Sequence, residues 1–129
     1  MLWLIAALGY MALIHALSSI PGGDAGQLED AGTFTLYFVP PALQNLFHVP
    51  LYAGLAFLWL RTLRECHLPL LAATMAAIAI AAGYGLLDEL HQSTVPGRYA
   101  SVTDVLLNAA GSVCGALLGT RQRLVRPSR

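Results

Sequence analysis

The chain has 129 residues, a length that fits one domain, and 57% of them are hydrophobic against 11% charged. Soluble domains carry about 25% charged residues, so this composition, with a mean hydropathy of +0.63, points to a protein whose solvent is lipid. Lysine is absent and seven basic residues, all arginine, balance seven acids; a net charge of zero excludes the basic surface that nucleic acid requires, and no nucleic-acid partner is expected.

A bilayer core of about 30 Å takes roughly 20 apolar residues per helical span. The first such run covers residues 2–20 and is closed by Pro21-Gly22-Gly23. It reads as a retained span and not as a signal peptide, because no basic segment precedes it and the apolar stretch is long. Residues 21–44 form a polar segment with Asp24, Glu29 and Asp30 and no arginine. Its apolar part, TFTLYFVPP, is too short to span and is expected at the interface. The second run covers residues 41–60 and ends at Arg61, the third covers 68–87, and the fourth covers 102–119.

Six of the seven arginines fall on one side of this arrangement: Arg61 and Arg64 between runs two and three, and Arg121, Arg123, Arg126 and Arg129 after run four. The positive-inside rule makes that side cytoplasmic. The expectation is thus a single all-α domain over 1–129, an integral membrane four-helix bundle with both termini in the cytoplasm. Arg98, alone on the other side, requires a local reason. Cys66 and Cys114 are expected as free thiols. Gly111, Gly115 and Gly119 repeat at four-residue spacing, which lets a helix approach closely. The partner is either a neighbouring helix of this bundle or a second copy in a homo-oligomer.

Polar residues gather near one boundary. His15 and Ser18 end run one; His48 and Tyr52 are four apart in run two; Tyr84 and Asp88 are four apart in run three, followed by Glu89 and Gln92; Asp104 and Asn108 are four apart in run four. Residues four apart share a helix face, and all of these fall within about two turns of the same boundary at 1.5 Å per residue. Ionisable groups at such depth face one another or a wet cavity. Ser18, Ser19, Asp24, Glu29, Asp30, His15 and His91 are read as interfacial groups that hydrogen-bond helix ends.

The stretch from Gly83 to Gly119 resembles the VanZ-like family of small bacterial membrane proteins. The motifs are Glu89-x-x-Gln92, then Pro96-Gly97-Arg98, then Asp104-x-x-x-Asn108 and a span with Gly111 and Gly115. Upstream, Ser18-Ser19 with Pro21-Gly22 resembles the ending of the family's first span, and His48 and Tyr52 match its His-x-x-x-Tyr. The family often has Asp-Lys just before that histidine where this chain has Gln44-Asn45, so no acid–base pair is carried over there. The resemblance implies a multi-pass protein of the bacterial cytoplasmic membrane with a role in the cell envelope. The family is named for a protein associated with low-level resistance to teicoplanin. It supplies no reaction.

Two classes of function fit these residues. In the first, the chain recognises or processes an anionic or polar envelope amphiphile, a membrane lipid or lipid-linked precursor. Glu89 and Asp104 are then acid/base or metal-ligand candidates and His48 a general base, with Arg98, Gln92, Tyr52 and Asn108 binding the ligand and Arg98 forming one cluster with the two carboxylates. In the second, the same groups build a non-catalytic structural or partner-binding module. No HExxH motif, nucleophile elbow or phosphate-cradling loop is present. No cofactor and no resident metal is expected.

The topology is testable with a cysteine at Gln27 on a background lacking Cys66 and Cys114. An impermeant maleimide should label it in intact cells; labelling only after the membrane is breached refutes the assignment.

Overall fold

The computed structural model describes residues 1–21 and 45–124, with side chains as far as Arg121. Four helices and no strand make up the described residues: α1 (Leu2–Ser18), α2 (His48–Glu65), α3 (Leu70–Gln92) and α4 (Val102–Leu124). The fold is all-α. Asp24, Glu29, Asp30, the TFTLYFVPP stretch, the beginning of run two at Pro41, the Arg123 side chain and the tail with Arg126 and Arg129 lie outside the described residues.

Three helices run further than the apolar segments that predict them. Helix α2 continues through Arg61 and Arg64 to Glu65, because arginine sustains a helix and is favoured near its negative C-terminal end. It stops at His67, whose φ of 61° lets Leu68 N–H bond the Leu63 carbonyl at 3.3 Å and His67 N–H the Arg64 carbonyl at 3.2 Å, a Schellman ending. Helix α3 passes the expected end at Leu87 and closes after Gln92. Helix α4 passes Gly119 to reach Leu124. Hydropathy marks where lipid-compatible residues end, whereas the backbone hydrogen bonds end at the next true breaker.

Contacts fix the helix directions. Trp3 meets Phe57 edge to face at 6.2 Å between centroids, and the Met1 ammonium lies 2.7 Å from Glu65, so α1 and α2 are antiparallel. The Tyr84 hydroxyl donates to the Met11 carbonyl at 2.7 Å, and Ser19 reaches His91 at 2.9 Å, so α1 and α3 are parallel. Gly111 packs on the backbone of Val49, Gly115 on that of Ala53 and Gly119 on Phe57 and Leu60, which makes α2 and α4 parallel. The helices alternate in direction, and the most extensive interface is α2 against α4. The glycine face offered to either partner by the sequence is occupied here by α2 of the same chain.

The interior combines Ala56, Ala73, Ala77, Ala81 and Ala116 with Ile14, Tyr52, Leu55 and Leu60 and with the polar Glu89, Asn108 and Ser112, while Leu2 and Leu71 are each 76% exposed. Small residues at the helix contacts with leucine on the outside suit an apolar solvent, where close backbone packing drives association. Leu70–Gln92 and Val102–Arg121 are long and apolar enough to cross a membrane. Helix α1 is apolar but has 17 residues, about 26 Å of rise.

A Cβ at Gly115 collides with Ala53 backbone, whereas one at Gly83 meets nothing within 4 Å. Gly115→Ala should therefore lower the melting temperature in detergent, at a cost of about 1–3 kcal/mol, and Gly83→Ala should not. Equal melting of the two variants refutes the close α2–α4 contact.

Candidate functional site

One end of the bundle holds the close of α1, the start of α2, the close of α3 and the start of α4. The start of α4 sets the geometry there. Ser101 precedes the helix and its hydroxyl accepts from Asp104 N–H at 3.4 Å, the first half of a capping box. In a complete box the acid three residues on reaches back to the cap's own N–H. Here Glu89 of α3 does so instead, accepting from Ser101 N–H at 3.1 Å through Oε2. The Asp104 carboxylate is released from local capping and faces the bundle interior.

Asn108, one turn further, is fully buried. Its Nδ2 donates to the Gly85 carbonyl at 3.4 Å, and its Oδ1 lies 2.8 Å from His48 Nδ1. With the amide oriented by Gly85, its Oδ1 accepts from His48 Nδ1–H. Gly85 permits this approach, since a Cβ there would lie 2.7 Å from Asn108 Cβ. His48, Glu89 and Asp104 each bring one donor atom within 4.8 Å of the others, and His48 Nδ1 stands 4.0 Å from Glu89 Oε1. Glu89 is 2% and Asp104 6% exposed, yet Glu89 Oε1 and Asp104 Oδ1 have no hydrogen-bond partner. A buried carboxylate oxygen without a partner costs several kcal/mol.

A second group adjoins the first. Tyr52 is parallel to His48, with ring planes 4° apart and centroids at 6.3 Å. Its hydroxyl is buried without a hydrogen-bond partner, and Asp88 accepts from Gln92 Nε2 at 3.1 Å through Oδ2. Asp88 Oδ1 is again buried without a partner. Between α1 and α3, His15, Tyr84, Leu87, Asp88 and His91 line a pocket of ≈ 200 Å³. The His15 and His91 rings are 4.4 Å apart. Ser19 Oγ, which donates to the His15 carbonyl at 2.7 Å, is placed to accept from His91 Nε2.

The structure therefore brings Glu89, Asp104, Asn108 and His48 together and sets Tyr52 and Gln92 beside them. It does not bring Arg98 into that cluster. Val95, Pro96, Gly97 and Arg98 form a tight turn, with Arg98 N–H bonded to the Val95 carbonyl at 3.1 Å and Gly97 at φ 73°. A positive φ at the third turn position demands glycine, and proline suits the second. The turn sends Arg98 to the end of α1, where Nη1 meets the carbonyls of Leu17, Ser18 and Ile20 at 3.4, 3.4 and 3.5 Å. Among the described residues it pairs with neither carboxylate. The local reason for this arginine is the unsatisfied, negative C-terminus of a helix.

Sequence reasoning missed Ser101 and Gly85. The Ser101-x-x-Asp104 spacing is the sign of a capping box and was available; the substitution of Glu89 for the second half was not. A model of the family described as VanZ/LLP1 matches residues 3–123. No curated protein and no solved structure gives a significant match.

Removing the cap tests the Arg98 assignment. Arg98→Ala should destabilise the bundle by about 1 kcal/mol, and Arg98→Lys should restore part of that, since an ammonium also bonds carbonyls. A melting temperature for Arg98→Ala equal to the parent's refutes it.

Proposed function

Because the chain belongs to the VanZ/LLP1 family, we propose that it is a multi-pass cell-envelope protein that takes the polar head of an envelope amphiphile into its polar end. The observation that carries this reading is the set of unpartnered carboxylate oxygens of Asp88, Glu89 and Asp104, gathered inside one end of a bundle whose outside is leucine. Buried polar groups in lipid are costly and mark ligand pathways or sites. Of the three carboxylates, Asp88 lines the pocket and accepts hydroxyl or amine hydrogens of a head group. His15 and His91 line the pocket between α1 and α3 beside Asp88. Arg98, at the same end, supplies donors on the Nε and Nη2 side of its guanidinium, where the anionic part of the head is received.

Orientation with the arginine-rich end toward the cytoplasm places this pocket at the outer leaflet. Four membrane crossings follow if α1 and α2 join the two longer helices. A contribution to teicoplanin resistance fits a protein that occupies or remodels a lipid-linked envelope precursor at that leaflet. A structural reading has its own support, because Glu89 and Arg98 both close helix ends.

The two readings separate on Asp88→Asn, which keeps the volume and the Gln92 neighbour. Native mass spectrometry of the detergent-purified protein should show retained phosphatidylglycerol or phosphatidylethanolamine, weakened about tenfold by the substitution, with unchanged melting. Expression in a susceptible Gram-positive host should raise the inhibitory concentration of teicoplanin, and Asp88→Asn should lower it again. Retention of neither lipid refutes the amphiphile reading, and an Asp88→Asn variant that binds as the parent does assigns the carboxylate to structure.

A further inference from the structure

We propose that His48, Glu89 and Asp104 form a binding site for one divalent transition-metal ion of the zinc class, held between α2, α3 and α4. Three separate elements deliver one imidazole and two carboxylates whose donor atoms lie within 4.8 Å of one another. Around an ion with ligand distances of roughly 2.0–2.1 Å, tetrahedral donors stand about 3.4 Å apart. Rotation of the two carboxylate side chains covers the difference.

The donors are also in the condition that a metal requires. All three residues are at least nine-tenths buried, and Glu89 Oε1 and Asp104 Oδ1 have no hydrogen-bond partner. Arg98, the arginine at this end of the bundle, is directed to the carbonyls of α1. Two carboxylates and one divalent ion sum to zero charge, which removes the penalty of burying an unpaired anion in a low-dielectric interior.

Ser101 N–H fixes Glu89 through the other carboxylate oxygen, as the second layer of a metal site does. His48 Nδ1 is the nitrogen that stands 4.0 Å from Glu89 Oε1, and it exchanges its 2.8 Å bond to Asn108 for the ion. The mixed nitrogen and oxygen set selects zinc or manganese over calcium and magnesium, which prefer oxygen alone. Three protein donors leave positions open to water or a ligand. The ion is inferred from these residues and does not depend on the amphiphile reading.

The test uses the full chain in detergent, stripped with chelator. Added Co²⁺ should give visible d–d absorption that saturates near one equivalent and is displaced by Zn²⁺. Glu89→Gln and Asp104→Asn should each abolish the bands. The parent's cobalt spectrum decides the matter without any variant having to fold. No bands, or bands that persist in a folded Glu89→Gln, Asp104→Asn double variant, overturn the site.

Discussion

The contact on which the rest depends is the backbone approach of α4 to α2. Gly111 and Gly115 lie against the main chain of Val49 and Ala53, closer than any side chain permits. One turn earlier on α4 stands Asn108, and beside Val49 on α2 stands His48. The separation set by the glycines therefore decides whether His48 and Asn108 meet, which they do at 2.8 Å. Close packing of small residues and interhelical hydrogen bonds are the two means by which helices associate where the solvent is apolar. Here both occur along one seam, and the seam leads into the cluster.

The second constraint is the accounting of helix ends. Each helix leaves terminal N–H and carbonyl groups that must find partners. The polar end of the bundle meets this need by exchange between elements. Glu89 of α3 serves the entrance of α4, and Arg98 of the α3–α4 turn serves the exit of α1. Because Glu89 takes the capping task, Asp104 is left with an unoccupied oxygen inside the bundle. What looks like a concentration of charge is thus two kinds of residue: some close helices, and some are left facing each other.

Much of this was legible in the residues themselves. Pairs four apart put His48 with Tyr52 and Asp104 with Asn108 on common faces, and alternating spans bring those faces to one level. The direction of Arg98 was not legible, because charge asymmetry tells only on which side an arginine lies. A turn fixed by Gly97 at φ 73° decides where it points. The apolar runs are shorter than the helices α2 and α3 that contain them for a related reason: Arg64 and Glu89 are polar, yet both extend helices without breaking them. Hydropathy registers solvent preference, and backbone geometry ends where a cap or a proline ends it.

The peripheral position of α1 has an architectural consequence. It packs mainly on α2, touches α3 more lightly and makes no packing interface with α4. His48, Glu89, Asp104 and Asn108 all belong to the other three helices, so the inner cluster is complete in a three-helix unit and α1 is laid along its side. That unit has its own core, and α1 is fastened to it by the Met1–Glu65 pair at one end and by Ser19 and Arg98 at the other. The seam between α1 and α3, where Asp88 lines the pocket, is the one that separates at least expense. Parting there widens the pocket from the flank of the bundle and leaves the cluster of the other three helices intact.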